Sequence, residues 1–456
     1  MLLRQLTKAF AHSPLRNPAK QPPTTKSSLK VQAEDAVLNG RPMQPGASSS
    51  NLSHNEKEEQ VRTFHPEFTY PLFGDEENLF GYKDPVVRLH YSAGSLFSFL
   101  GMSYTYRIDK DPEALAKAKK IGDATPKADD VLAIVRAKLP EKGVTDDYST
   151  FMEQVRRDEQ GAFSPMGDKV HEYTVKGKQG VVYEIYKANF ATPRFKSYNA
   201  ALQVFCLFFI EGASAIDAED EAWECYLLFE RRPLVAGSEA RYAAQFAWAL
   251  CGFSTVYTFW CWPDQKRMRI SQVLVFPPYQ KMGHGKQLYH TVKKEFLSRK
   301  EIADFGVEDP NDDFQILRDI CDLQDLLDDV EKIRKAKTTA APPSLSSLHL
   351  PVLAAGRVVD METRAAVNSV VEQVKNGEYK LSKGQAARCI EILLLKFLDS
   401  RDKKACQEYR LLVKKRLYQR NEEVLSGMEV TEMQGKLQET FESVEQGYRD
   451  ILKHLL

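Results

Sequence analysis

The residues whose types and spacing suit chemistry lie in Arg269-Ile-Ser-Gln-Val-Leu-Val-Phe-Pro-Pro-Tyr-Gln-Lys-Met-Gly-His-Gly-Lys-Gln-Leu-Tyr289. A strand-like run enters a turn marked by Pro277 and Pro278. Gln280-x-x-Gly283-x-Gly285 follows and opens a helix with Leu288, Tyr289, Val292 and Phe296 on one face. Successive backbone N–H groups at a helix start, with glycines allowing close approach, form a cradle for a pyrophosphate, and the helix dipole adds to it. The Walker lysine arrangement is missing, which argues against a nucleotide triphosphatase. His284, between two glycines, reads as a packing or phosphate-side residue rather than a catalytic imidazole. The bland alternative for the whole loop is a glycine-capped turn.

Acidic residues are the second chemical feature. Glu308 and Asp309 follow the apolar run 305–307, a candidate strand that would end at a site. Segment 211–230 holds seven acids and no base, and segment 301–330 holds eleven acids and one base, Arg318. Asp75, Glu76 and Glu77 form a third patch. Such patches suit a groove for a Lys/Arg-rich peptide and would speed its capture. Trp223 and Tyr257 would supply aromatic walls for a lysine stem. Solvated acidic faces are the commoner outcome for such runs, and the 322–329 part reads as a helix surface. Segment 401–420, with eight bases against two acids, reads as a solvated helix face.

These residues need elements to position them. Val87-Arg-Leu-His-Tyr91 alternates as a half-buried strand should, and 104–108 repeats the pattern. Segments 130–139 and 148–157 read as helices. Segment 170–186, with Gly177 and Gly180 between β-rich runs, reads as a hairpin. These make a first α/β domain over 62–185. A second domain over 186–336 offers a buried helix at 198–210, strands near 225–229, 243–250, 253–260 and 269–276, and a helix at 285–298. Segment 242–263 lacks charge and is long enough to span a bilayer, but its aromatic and β-branched content fits two buried strands with a tight connection better. A Pro/Ser-rich linker occupies 337–356, and apolar stripes at spacing three and four predict a helical domain over 357–456. Residues 1–61 read as a disordered tail. Its basic, acid-poor start offers an organellar targeting segment as the alternative reading.

Composition bounds the rest. The 456 residues suggest two or three domains, and 43% hydrophobic content is ample for their cores. With 63 Lys+Arg against 63 Asp+Glu, bulk attraction to nucleic acid is not expected, nor is a membrane partner. The seven cysteines show no CxxC, which reads as free thiols and no zinc framework.

The strand–Gln-x-x-Gly-x-Gly–helix unit resembles the acetyl-CoA site of the GNAT acetyltransferases. Arg269-Ile-Ser-Gln272, Gln280 to Gly285 and Val307-Glu-Asp-Pro-Asn311 resemble the type B histone acetyltransferase catalytic subunits more narrowly. Phe64-His-Pro-Glu-Phe-Thr69, Phe73-Gly-Asp-Glu-Glu77, Phe80-Gly-Tyr-Lys83 and Phe209-Ile-Glu-Gly-Ala-Ser214 extend the resemblance over about 62–335. It implies an α+β GNAT acyltransferase fold, a mixed central sheet flanked by helices, between the N-terminal α/β and C-terminal helical domains. It implies acetyl transfer to lysine side chains of newly made histone H4 tails, directly within a ternary complex, with acetyl-CoA as co-substrate and no metal. Glu308 would be the general base, assisted by Asp309 and Glu211. Val273, Leu274 and Val275 would hold the thioester arm. Gln280, Lys281, Met282, Gly283, His284, Gly285 and Lys286 would hold the pyrophosphate through their backbone, and Asn311 and Arg318 would reach the cofactor from the next segment. The family's usual partner is a WD40-repeat histone chaperone, and its usual compartments are nucleus and cytoplasm. A non-catalytic histone escort and a lysine acetyltransferase with another protein substrate are the alternatives.

Overall fold

The computed structural model describes residues 30–32, 62–121, 125–234, 245–337 and 360–455. The expected tail and its basic start lie outside the described residues except for a three-residue strand, and so does the Pro/Ser linker beyond Lys337.

In the first part of the chain, strand β1 (Lys30–Gln32) is followed by the short helix α1 (Tyr70–Phe73) and by strands β2 (Tyr82–Lys83), β3 (Val86–Tyr91), β4 (Ser98–Ser103) and β5 (Tyr106–Arg107). Helices α2 (Pro112–Ile121) and α3 (Val131–Arg136), strand β6 (Val144–Thr145) and helix α4 (Tyr148–Glu159) come next. The first sheet has the order β1-β3-β4-β6. Val87, Leu89 and Tyr91 point into its core, as alternation predicts. Asp130 and Asp147 cap α3 and α4 through backbone amides, 3.1 Å to Ala133 and 2.9 Å to Thr150. The strand expected at 104–108 is reduced to β5, which pairs with β2. The neighbour of β3 is β4, whose alternation Gly101 and flanking serines obscure.

The second sheet runs β12-β11-β10-β9-β8-β7. Its strands are β7 (Asp168–Tyr173), β8 (Val182–Asn189), β9 (Trp223–Pro233), β10 (Phe246–Cys261), β11 (Gln265–Val275) and β12 (Ile302–Val307). Every neighbouring pair is antiparallel except β11–β12. Helix α5 (Phe195–Phe209) precedes β9, helix α6 (His284–Ser298) joins β11 to β12, and the 26-residue α7 (Asp312–Lys337) follows β12.

Two expectations are corrected here. The domain boundary at 185/186 falls inside β8: the hairpin β7–β8 is the edge of the second sheet, because β8 pairs with β9 from Val182 to Asn189. The two strands expected in 243–260 are one continuous strand, β10. Gly252 is not a turn but a bulge, where the register shifts against β9. A side chain there would place its Cβ 2.4 Å from the Leu274 carbonyl oxygen, so only glycine lets β11 approach. From Phe246 to Cys261 the uncharged run is thus in the sheet, and among the described residues no helix is long and apolar enough to cross a membrane. At the β10–β11 connection Trp260 and Trp262 stand 69% and 78% exposed.

The C-terminal part is helical: α8 (Met361–Lys375), α9 (Lys383–Phe397), α10 (Lys403–Arg420), α11 (Glu422–Leu425) and α12 (Val430–Lys453). One hydrophobic core runs from Val87 to Ile451, so these helices share their packing with the sheet. The basic segment 401–420 lies mainly on α10, with Lys403, Lys404, Arg410 and Lys415 in solvent and Arg416 turned inward to Glu391, 2.7 Å away.

The acidic helix surface expected at 322–329 holds at Asp328, which is exposed, but not at Asp322. Asp322 is fully buried and accepts from Lys293 at 2.7 Å, from Tyr289 at 3.0 Å and from Gln385 at 2.9 Å. Asp319, equally buried, pairs with Arg388 at 2.6 Å. Helix α7 packs between α6 and α9, so Asp319 and Asp322 on its inner faces meet cations and amides rather than water, while Asp312, Asp313 and Asp328 stay exposed.

Candidate active site

The site grows from the place where β12 leaves β11. The parallel ladder ends at the pair Ile270–Val307, closed by Glu308 N–H donating to the Ile270 carbonyl at 2.9 Å. Strand β11 continues through 271–275 without β12 beside it. A wedge therefore opens between the strands, bounded by Val273 and Val275, both half-buried, with Leu274 turned into the core.

Glu308 stands at the mouth of this wedge. It is exposed, and Ser271 Oγ donates to its Oε2 at 3.0 Å. Asp309 follows with φ +34°, a backbone conformation costly for a non-glycine residue and common where a site imposes it.

At the far end of β11 the chain makes a short 3₁₀ turn at Pro277–Tyr279. Gln280 Nε2 then donates back to the Val275 carbonyl at 3.0 Å. Lys281 and Gly283 both take positive φ, and Gly283 is the N-cap of α6 with no side chain capping the helix. The first N–H groups of α6 have no acceptor within the helix. A Cβ on Gly283 would meet nothing within 4 Å, so the space before the helix start is open. Met282 is half-buried beside it, and Lys286 reaches away to Gln324 on α7 at 2.7 Å. An uncapped helix start, an open approach and the exposed Lys281 fit the diphosphate of acetyl-CoA.

His284 is 1% exposed and turned inward. Its Nδ1 lies 2.6 Å from the Tyr173 hydroxyl, and its ring packs 4.4 Å from that of Tyr183. Burial pulls its pKa down to about 4, against a weaker opposing pull from Glu230. Only its backbone can serve the loop. Asn311 caps α7, accepting from Phe314 N–H at 2.9 Å. Arg318 is 4% exposed and lies 3.9 Å from Asp322, inside the cluster between α6, α7 and α9.

Glu211 belongs to the loop after α5. Gly212 N–H donates to the Tyr70 hydroxyl at 2.8 Å, tying this loop to α1. Thr69, just before α1, donates through its N–H and its hydroxyl to Glu77 at 2.9 and 2.7 Å. Glu77 and the loop that carries Glu211 are therefore both tied to the start of α1. Trp223 and Tyr257 meet edge-on at 4.8 Å, and Phe259 extends the wall at 4.6 Å with the Arg269 guanidinium 5.0 Å over its ring. Tyr257 pairs with Arg269 and Arg269 with Gly306, so the wall lies one rung from the end of β12.

The acidic runs divide. Glu224 pairs with Arg299 and Lys187, Glu230 with Arg232, Asp304 with Arg267, and Asp319, Asp322 and Asp325 with internal cations. Among the described residues of these runs, Glu211, Asp217, Asp220, Glu221, Glu308, Asp309, Asp312, Asp313 and Asp328 make no ion pair. Those carboxylates are what remains for a basic ligand. No group of His, Cys, Asp and Glu suited to a metal occurs among the described residues.

Two features escaped sequence reasoning. Ser271 was hidden inside a strand. Gln203, Gln272, Asn199 and Thr255 form a buried polar network, and Gln272 Nε2 also donates to the Ser214 carbonyl at 3.0 Å. A lone glutamine inside the apolar run of α5 was its signal.

The sequence matches the family described as "Histone acetyl transferase HAT1 N-terminus" over residues 46–211. It is 33% identical over 444 residues to a histone acetyltransferase type B catalytic subunit of Cryptococcus neoformans, covering 92% of this chain and 97% of that one. The proteins of the same name from Rattus norvegicus and Homo sapiens are each 30% identical over 420 residues, 87% of this chain and 89% of theirs. Among solved structures it is similar to an aminoglycoside acetyltransferase from a soil metagenome, at 16% identity, 37% of this chain, 95% of that one and TM-score 0.21.

Proposed function

This chain belongs to the histone acetyltransferase type B catalytic subunits, which makes it an acetyltransferase of α+β architecture with a helical C-terminal part, and we propose that it acetylates lysine side chains of newly made histone H4 tails. The observation that carries the reading is Glu308, held at the opening between β11 and β12 by Ser271 of β11, the strand that leads to the uncapped start of α6.

A free lysine has a pKa near 10.4, so about 0.1% or less of it is nucleophilic at neutral pH. The deficit is about 4–5 kcal/mol. A positioned carboxylate and a partly desolvated site reduce it. Glu308 takes the ammonium proton as the amine approaches, and the Ser271 hydroxyl holds one carboxylate oxygen in place. Acetyl-CoA, when bound, supplies the activated acyl group. The backbone of 273–275 aligns the thioester arm, and the amides of 280–286 hold the diphosphate. Asp309 and Glu211 add negative potential that favours the incoming ammonium. Trp223, Tyr257 and Phe259 cover the apolar stem of the lysine. Burial pushes the thiols of Cys206 and Cys321 up to about 12, which keeps them protonated and poorly nucleophilic, in keeping with direct transfer within a ternary complex.

The basic tail of the substrate is met by the unpaired carboxylates around Glu211 and Glu308 and by Asp75, Glu76 and Glu77. Family membership supports a WD40-repeat histone chaperone as partner and the nucleus and cytoplasm as compartments. The test is mass spectrometry of an H4 tail peptide after incubation with the protein and acetyl-CoA. Acetyl-lysine that disappears with Glu308→Gln is the expected result. An unmodified peptide with the intact protein overturns the reading.

A further inference from the structure

The edge strand β12 carries the residue assigned as base, yet it is only six residues long and its ladder with β11 stops just before Glu308. An edge strand with one hydrogen-bonded side is poorly fixed. Here its outer side is not free. The turn between α8 and α9 lays segment 380–382 along it, with Leu381 bridging Phe305 in parallel. Phe305 N–H donates to the Lys380 carbonyl at 2.8 Å, and Ser382 N–H donates to the Phe305 carbonyl at 3.0 Å.

The turn itself is anchored three ways. Tyr379 donates its hydroxyl to Asp329 on α7 at 2.7 Å. Leu381 is 8% exposed. Lys380, in a positive-φ conformation, sends its ammonium to the carbonyls of Phe296, Leu297 and Arg299 at 3.1, 3.3 and 2.6 Å. Those carbonyls end α6, where a cation satisfies groups the helix cannot. One short turn thus grips both β12 and the far end of the helix whose start forms the anion cradle.

We propose that segment 380–382 of the C-terminal helices is a positioning element of the active site, fixing β12 so that Glu308 stays at the wedge; this rests on the function proposed above. Lys380 and Ser382 touch neither substrate nor cofactor. They act through Phe305, three residues before Glu308, and through α6. A shift of about 1 Å in a reacting group costs on the order of 100-fold in rate, so even a fraction of that displacement is measurable.

Ser382 permits a clean test. Its φ of −57° and ψ of 150° suit proline, Leu381 before it is extended, and its side chain caps nothing. Ser382→Pro deletes the N–H that bonds Phe305, while Ser382→Ala keeps it. The full-length protein is assayed with an H4 tail peptide and acetyl-CoA, and rates are normalised to folded protein by circular dichroism. We expect Ser382→Pro to lower kcat about tenfold with the KM for acetyl-CoA within about twofold, and Ser382→Ala to match the parent. A folded Ser382→Pro with unchanged kcat overturns the proposal. If that variant does not fold, Lys380→Met carries the test: kcat falls about threefold or more and Lys380→Arg restores it, whereas an unchanged kcat overturns the proposal. A parent protein that acetylates nothing, or a fully active Glu308→Gln, strikes the function or the base assignment instead.

Discussion

Gln203 and Gln272 hold each other across the core by two opposed amide hydrogen bonds, 3.2 and 3.1 Å long. One glutamine sits on α5 and the other on β11. Gln203 Oε1 also accepts from Ile216 N–H at 3.2 Å, and Gln272 donates to Ser214. The pair therefore fastens loop 211–216, with Glu211 at its head, to the strand that borders the wedge.

Gln203→Leu leaves Gln272 and the Ile216 amide without their buried partner. A loss of about 1–3 kcal/mol in urea unfolding is expected, with a fall in activity on the peptide. The double variant with Gln272→Leu should lose less than the sum of the two single losses, since the partners form one network. Strict additivity in that cycle would contradict the coupling.

Glu308→Gln should lower kcat by about 10²–10⁴ while the KM for acetyl-CoA changes little. Ser271→Ala removes only the hydroxyl that steadies the carboxylate, so its loss should be far smaller. Steady-state kinetics on the H4 peptide separate the two, and equal losses would point to a structural effect at β11.

Gly283→Ala meets no atom within 4 Å, but alanine at φ +88° costs about 1–2 kcal/mol. The cost falls at the start of α6, so the KM for acetyl-CoA should rise. Gly285→Ala places its Cβ 3.0 Å from Leu317 Cδ1, the end of a flexible side chain that must shift. Titration of both variants with CoA, followed by calorimetry, ranks them. Undiminished CoA binding in both would remove the anion role of this loop.

Lys293 is 2% exposed and bonds Asp322 and Asp325, each at 2.7 Å. Burial pulls its ammonium pKa down, but the two carboxylates outweigh it and the net shift is upward. Lys293→Met leaves the buried Asp322 with only the more distant Arg318, 3.9 Å away, as its cation and should cost up to about 3–5 kcal/mol in denaturant unfolding. Adding Asp322→Asn should recover part of the loss.

His284 is neutral in the folded chain, with burial taking its pKa from 6.5 to about 4. The unfolded chain binds a proton there first, so this contribution is complete above pH 6.5 and is lost as pH falls toward 4. The gap between the two values corresponds to roughly 3 kcal/mol. His284→Gln should flatten the stability profile between pH 6.5 and 4, and urea unfolding across that range checks it. An unchanged slope would place the titration elsewhere.

The turn and helix start at 277–285 were legible because their signal is local: glycines, a proline turn and an apolar helix face lie within one short segment. The bulge at Gly252 was not. A glycine in an apolar run signals turn and bulge alike, and only the approach of Leu274 from another strand decides between them. The acids of α7 misled for the same reason. Asp319 and Asp322 carry charge patterns of a surface, and their partners Lys293, Gln385 and Arg388 lie tens of residues away in the chain. Glu308 stood out through family resemblance. Its hydrogen bond from Ser271 needed β11 and β12 to be laid side by side.

Two of the chain's four tryptophans, Trp260 and Trp262, project into water from the β10–β11 connection, while Trp223 and Trp248 pack against other rings. The intrinsic fluorescence of the protein is therefore weighted toward indoles in a wet environment, at one end of the strands that carry the aromatic wall. A molecule that settles over this end shifts the emission to the blue, so the native chain carries an optical reporter of occupancy that needs no label.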